Sequence, residues 1–387
     1  MSDAIVIIGT GLAGYVFAKE FRKRDTTTSL ILITKSDGYF YSKPLLSTAL
    51  THQKTPDELC IHDVETMRQQ LNATIFIQAN VFKIDANDKK IFFSNAEKKE
   101  NSITYQKLIL AHGADNVHIS LQGDAVDDVV CVNQMEDYRT FREKLSNKKQ
   151  IAILGAGLVG CEFANDLLNT NHAVSITAPD NYLLSALVPE AVGCALQHTF
   201  LKSGIMFNLG LYPKTVHRIN KAYEITLSND QKINADVVLS AAGIKPDLSL
   251  AKSAGIKTNI GVMTNAYCQT SDPDIYALGD CAEVDGLMKM YVAPILHNTR
   301  ILAAFLVGEK MPMHNTITPI IIKTPLCPIA LVSPPKNCLG EWKIIADDMH
   351  VQALFYDDHN QLRGFALSGN CVKEKMRLLK LIDVNRA

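Results

Sequence analysis

Two stretches, IVIIGTGLAG (5–14) and IAILGAGLVG (151–160), decide the architecture of this 387-residue chain. Each opens on an apolar run, passes through Gly-x-Gly-x-x-Gly and continues into a helix-forming segment. Strand, glycine turn and helix in that order make a seat for a pyrophosphate. The first glycine permits the tight turn, the second lets backbone approach phosphate, and the third lets helix pack on strand. The helix N-terminus then faces the negative charge. The economical use of two such seats is to pass electrons from one dinucleotide to another.

Outward from each seat the pattern continues. Residues 4–8, 12–23 and 30–34 read as strand, helix and strand, a βαβ unit, and 150–154, 158–169 and 173–177 repeat it. Pro56 to Leu71 reads as a helix with proline near its start. Residues 74–94 alternate around Asn87-Asp88 as antiparallel strands, and Tyr105 to Ala111 is a buried strand. Further strands are expected at 214–219, 223–228, 236–241 and 274–278, and helices near 189–203 and 293–307. Residues 318–368 are β-branched with Pro and Gly breaks, and a basic helix is expected at 372–382. The fold class is therefore α/β: two Rossmann-like dinucleotide-binding domains plus a small α+β C-terminal domain. The expected boundaries are 1–113 with 250–317 for a discontinuous first domain, 114–249 for the second and 318–387 for the third.

Composition narrows the function. The 39 basic and 40 acidic residues nearly cancel, which argues against nucleic acid as a partner and against a polybasic membrane anchor. No apolar run reaches the roughly 18 residues of a membrane-spanning helix, and no secretory leader is read before the first strand. A cytoplasmic protein is expected. The nine cysteines are scattered without metal or dithiol spacing, and Asn72-Ala73-Thr74 is a chance glycosylation match. No metal site is expected.

A third motif, TSDPDIYALGD (270–280), ends a buried strand on Gly279-Asp280. Glycine allows close backbone approach there, and the carboxylate suits a polyol. With this motif the chain resembles the two-dinucleotide flavoprotein reductases of glutathione reductase-like fold. Within them it is similar to the bacterial rubredoxin–NAD reductases, through IIGTGLAGY (7–15), YSKPLLST (41–48), ILGAGLVGCEFANDL (153–167), YALGDCAEVDGL (276–287) and KTPLCP (323–328). The resemblance implies FAD in the first domain and NADH in the second. It assigns Gly9, Gly11, Leu12 and Gly14 to the FAD pyrophosphate, Thr34 and Lys35 to the adenosine ribose, and the Val81 backbone to adenine. Lys43 and Pro44 would lie against the flavin, Asp280 by its ribityl chain, and Val292 and Lys323 by its pyrimidine end. Glu162 would stand near the junction of the two rings, and Gly155, Gly157 and Gly160 would seat NADH.

A fixed ammonium near flavin N1 and O2 stabilises the reduced form, so Lys43 and Lys323 are expected to tune it, with Lys43 pairing Glu162. Transfer between stacked rings needs proximity rather than an acid or base, so no general acid–base residue is nominated. His52, His62, His112 and His297 are expected to be structural or exposed. Three places depart from the family pattern. Thr34-Lys35 stands where an acid usually meets the ribose, Thr177-Ala178-Pro179 with Asp180 stands at the matching place in the second domain, and LAHGA (110–114) carries His112 in place of a threonine. No arginine follows the second of these strands to grip a 2′-phosphate, which favours NADH.

The lack of a cysteine pair beside the flavin sends electrons out directly to a one-electron acceptor. The resemblance implies that this acceptor is rubredoxin, a small acidic iron protein, and that the reduced rubredoxin supplies an alkane hydroxylase system.

 The closest rivals on the same fold are a ferredoxin reductase and a flavorubredoxin reductase, and a rival of another class is an FAD- and NADH-binding signalling protein. Lys373, Lys375, Arg377 and Lys380 on the final helix form a candidate docking face for the acidic partner.

Overall fold

The computed structural model describes residues 4–309 and 317–382. The chain divides into two compact units, one of Met1–Lys43, Asp57–Asp115 and Ile244–His314, the other of Pro44–Pro56, Asn116–Gly243 and Asn315–Ala387.

The first unit is built on a five-stranded parallel sheet in the order Ile275–Ala277, Lys107–Leu110, Ile5–Ile8, Leu30–Ile33, Ala73–Phe76. Because side chains alternate along a strand, the apolar run at 5–8 feeds two cores. Ile5 and Ile7 pack with Ala13, Phe17 and Phe21 of the helix Leu12–Arg22. Val6 and Ile8 pack on the opposite face with Ile84, Ile91 and Phe93 of an antiparallel meander, Asn80–Asp85, Lys90–Ser94 and Glu100–Thr104. A strand buried on both faces reads as a continuous apolar run, which is why this segment shows no polar alternation. The helix Val292–Leu306 packs against Leu12–Arg22.

The second unit repeats the plan. Its parallel sheet runs Val130–Cys131, Val237–Ser240, Gln150–Leu154, Ala173–Ala178, Met206–Leu209. Ala152 and Leu154 face a meander of Pro213–Ile219, Ala222–Leu227 and Lys232–Ala235. In chain order the meander falls between Ala73–Phe76 and Lys107–Leu110 in the first unit, and between Met206–Leu209 and Val237–Ser240 in the second. The outermost strand differs: the first unit takes it from later in the chain and the second from earlier.

The same unit contains the C-terminal antiparallel sheet, ordered Ile320–Ile322, Ile329–Val332, Leu362–Ser368, His350–Asp357, Gly340–Asp347. Leu378 of the short helix Lys375–Leu381 joins Val332, Phe365 and Leu367 in its core.

Three expectations need correction. Of the 74–94 stretch read as antiparallel, Ala73–Phe76 instead pairs in parallel with Leu30–Ile33, and only Asn80–Asp85 and Lys90–Ser94 form an antiparallel pair. The helix read from Pro56 begins only at Val64 and runs to Leu71. Asp63 caps it by accepting the Thr66 amide at 2.7 Å, while Cys60–His62 is drawn into a strand beside Phe40–Tyr41. The basic C-terminal helix is also shorter than expected, because Gly369–Glu374 forms a 3₁₀ turn ahead of it.

Candidate functional site

The two glycine turns have one geometry. Gly9 and Gly155 have φ of +109° and +129°, a region that favours glycine. A Cβ at Gly9 would lie 2.3 Å from the Ala111 carbonyl oxygen, and one at Gly155 would lie 2.4 Å from that of Ala241. At Gly14 and Gly160 a Cβ would stand 2.0 Å and 2.3 Å from the carbonyl oxygens of Gly9 and Gly155, so helix and strand touch backbone to backbone. At Gly11 and Gly157 it would meet nothing within 4 Å. These middle glycines line open space at the N-termini of Leu12–Arg22 and Leu158–Leu168, and neither helix has a side-chain cap there. Uncapped helix amides facing a cradle free of side chains fit a dinucleotide pyrophosphate.

Around the first cradle, Gly279 packs so closely that a Cβ would lie 2.8 Å from that of Ala13. This sets Asp280 beside the start of the helix. Burial raises the Asp280 carboxyl above its ordinary value, and the Lys43 ammonium at 3.8 Å opposes that rise. A desolvated carboxylate beside the cradle suits the hydroxyls of a polyol chain. Thr34 is buried at the end of its strand, with its hydroxyl against that of Ser36 at 2.9 Å. Lys35 is exposed, 3.5 Å from Asp115. Val81 lies in the meander opposite Phe93, and Val292 is the first residue of its helix. His112 meets the Asp247 carbonyl through Nε2 at 3.1 Å, and its Nδ1 is buried without a partner among the described residues. Burial lowers its pKa, so the ring is held neutral.

In the second unit the helix Leu158–Leu168 buries Glu162, Asn165 and Asp166. Spacings of three and four place them on one stripe. Glu162 Oε1 accepts the Lys323 amide at 2.9 Å, and Oε2 accepts the Lys323 ammonium at 2.5 Å and the Ser47 hydroxyl at 2.7 Å. Asn165 accepts the Leu326 amide at 3.3 Å. Asp166 accepts the amides of Leu50 and Thr51 at 3.1 Å and 2.7 Å.

This changes the expected role of Lys323. An ammonium has three N–H donors. Here they reach Pro44 O at 2.6 Å, Ser47 Oγ at 2.7 Å and Glu162 Oε2 at 2.5 Å. All three are committed to bracing the Pro44–Ser47 turn, and the charge is balanced by Glu162. The ammonium assigned to Glu162 from sequence was that of Lys43; the structure supplies that of Lys323, while Lys43 lies by Asp280. Asn165, Asp166 and Ser47 were missed as site residues although they lie inside the quoted strings. A polar stripe on a helix ordinarily reads as its solvent face. The available signal was the helix's other residues, nearly all apolar.

None of the nine cysteines forms a disulfide. Burial pushes the thiols of Cys268 and Cys281 up to about 12 and that of Cys327 to about 11, which keeps them protonated and unreactive. Among the described residues no group of three metal-ligating side chains could hold an ion. On the C-terminal helix, Arg377 pairs with Glu374 at 2.5 Å, while Lys373 and Lys380 are exposed.

Fold and cradles define a reductase with seats for two dinucleotides. The chain belongs to the pyridine nucleotide-disulphide oxidoreductase family, which residues 3–295 match, and residues 314–382 match the rubredoxin binding C-terminal domain. It is 42% identical over 377 residues to the rubredoxin-NAD(+) reductase of Alcanivorax borkumensis, covering 97% of each chain. It is 39% identical over 383 residues to the rubredoxin-NAD(+) reductase of Acinetobacter baylyi, covering 98% of this chain and 97% of that one. The solved structure of a ferredoxin reductase from Rhodopseudomonas palustris matches with a TM-score of 0.86 at 22% identity, over 97% of this chain and 93% of that one. At that identity the match speaks for the fold alone.

Proposed function

We propose that this protein passes electrons from NADH through FAD to rubredoxin. The observation that carries the proposal is the match of residues 314–382 to a rubredoxin binding domain in a chain that also holds two glycine cradles. Bound FAD supplies the exchange between a two-electron donor and a one-electron iron protein. The protein's part is to seat and orient.

We assign FAD to the cradle of Gly9, Gly11, Leu12 and Gly14, with Thr34, Lys35 and Val81 towards its adenosine. Asp280 takes the ribityl hydroxyls, and Lys43, Pro44 and Val292 belong to the ring. Lys323 and Glu162 hold Pro44 in place. NADH takes the cradle of Gly155, Gly157 and Gly160. The functional parts we assign are 1–113 with 250–317 for FAD, 114–249 for NADH and 318–387 for the acceptor. Lys373 and Lys380 are the exposed cations we offer to an acidic partner. We place the protein in the cytoplasm, since nine cysteines without a disulfide suit a reducing compartment. No helix among the described residues is long and apolar enough to cross a membrane. An alkane hydroxylase system is the consumer we propose for the reduced rubredoxin.

Stopped-flow mixing tests this reading. Protein reduced anaerobically with NADH is mixed with oxidised rubredoxin and, separately, with ferredoxin. Rapid bleaching of rubredoxin with slow reduction of ferredoxin is the expected result. Rapid reduction of ferredoxin instead would assign the acceptor to that class, and a flavin that reduces but passes electrons to neither would overturn the electron-transfer reading.

A further inference from the structure

We propose that Asp166 is a positioning residue for the flavin site, acting by anchoring the strap Pro44–Pro56. The inference rests on the assignment of FAD above. The strap follows Lys43 directly in sequence, yet it packs as part of the second unit. Side chains of the second unit hold it along its length. Lys323 grips Pro44 O and Ser47 Oγ. The Asp166 carboxylate, 1% exposed, takes the amides of Leu50 and Thr51 with one oxygen each. Asn169 donates to the Thr51 hydroxyl at 2.8 Å, and Arg142 donates to the Lys54 carbonyl at 2.9 Å.

The Asp166 contacts are the ones that fix the strap's backbone in its middle. His52 and Lys54 donate their amides back to Thr48 and Ala49, closing a turn. The amides of Leu50 and Thr51 lie at the start of that turn, where no carbonyl within it is placed to receive them. A buried carboxylate accepting both is a strong, charge-assisted anchor. An amide side chain cannot replace it, because Asn offers one acceptor oxygen and turns a donor NH₂ towards the other amide. The strap continues the backbone of Lys43 through the Lys43–Pro44 peptide bond, so a looser strap loosens the backbone that carries the ammonium assigned to the flavin.

The test compares Asp166→Asn with wild-type holoenzyme in three measurements: FAD dissociation constant, FAD midpoint potential and NAD⁺ affinity. The expected result is FAD binding weakened about tenfold, a more negative potential, and NAD⁺ affinity held within about twofold. A double-mutant cycle with Lys43→Met provides the readout that a merely structural role would not move. The potential shift caused by Lys43→Met should be smaller in the Asp166→Asn background than in wild type. If Asp166→Asn does not fold, Asn169→Ala loosens the same strap from its surface side and should shift FAD affinity and potential in the same direction by less. Unchanged FAD affinity and potential, or strictly additive effects with Lys43→Met, would overturn the inference. Wild-type protein that takes up no FAD would instead overturn the cofactor assignment on which it rests.

Discussion

The two glycine cradles share a backbone but differ in what the following helix does. In both, the outer glycines exclude a Cβ at about the same distances and the middle one opens onto free space. After the first cradle, the helix Leu12–Arg22 buries Ala13, Tyr15, Phe17, Ala18 and Phe21, and serves to pack. After the second, the helix Leu158–Leu168 adds a buried polar stripe of Glu162, Asn165 and Asp166 that gathers two loops. The glycine fingerprint thus specifies a phosphate seat and leaves the body of the helix free to take on a second task. In the first unit the polar work falls to Asp280, which sits in the 3₁₀ turn Gly279–Cys281 just after the strand Ile275–Ala277, far along the chain.

The comparison can be broken most severely at the close backbone contacts. Gly14→Ala drives a Cβ into the Gly9 carbonyl, and Gly160→Ala does the same at Gly155. Overpacking against backbone that cannot yield costs at least about 1–3 kcal/mol. We expect purified Gly14→Ala protein to be colourless, and Gly160→Ala protein to be yellow but reduced by NADH at least about a hundredfold more slowly. The ratio of flavin to protein absorbance and anaerobic reduction by NADH check this. Two colourless variants would show that the cradles are not independent.

The polar stripe is broken through stability rather than through bound flavin. Lys323→Met leaves the Glu162 carboxylate buried and unpaired, a change of about 3–5 kcal/mol. Adding Glu162→Gln should recover much of it, since the uncompensated charge is then gone. Urea unfolding of the single and double variants measures both effects, and equal losses in the two would refute the ion-pair account.

The middle glycines sharpen the contrast between seat and scaffold. With no atom within 4 Å, Gly11→Ala and Gly157→Ala should leave the ligand-free melting temperature within a few degrees of wild type. Each should weaken its own dinucleotide about tenfold or more, Gly11→Ala for FAD and Gly157→Ala for NADH. Titration calorimetry of both ligands on both variants gives the full cross-comparison, and an effect on the wrong ligand would fault the assignment.

The smallest effect concerns Asp280. Its carboxyl is raised in the folded protein by burial, with Lys43 opposing. Such a group binds its proton more readily when folded, so flavin-free protein is least stabilised above the raised folded value. It recovers that stability as the pH falls through the folded value towards the ordinary carboxylate range of about 4. Asp280→Asn should therefore flatten this part of the profile and raise the melting temperature slightly at neutral pH. A melting series on flavin-free protein over that range checks the sign.

The sequence revealed these seats well and their supports poorly, for physical reasons. Apolar runs of four to five residues ending on glycine mark strands buried on both faces, and they located the central strand of each sheet. Proline at 56 was read as the start of one helix, whereas that helix begins at Val64, where Asp63 caps it. The polar stripe stayed hidden because its partners lie far away in sequence: Asp166 is 115 residues from Thr51, and the Lys323 ammonium reaches Pro44 across 279. Nor does any local pattern show that the three donors of Lys323 are committed within its own unit.

The strap Pro44–Pro56 gives the protein an order of assembly. A growing chain makes this segment early, but its carboxylate anchor follows more than a hundred residues later and its lysine brace later still. Contacts of such long sequence separation are slow to form, because the intervening chain must first be closed into a loop. Until Lys323 has been synthesised, the strap lacks part of its hold. On this account the seat we assign to the flavin is among the last parts of the molecule to mature, and a truncated or stalled chain would carry the whole first glycine fingerprint while lacking the means to finish the site.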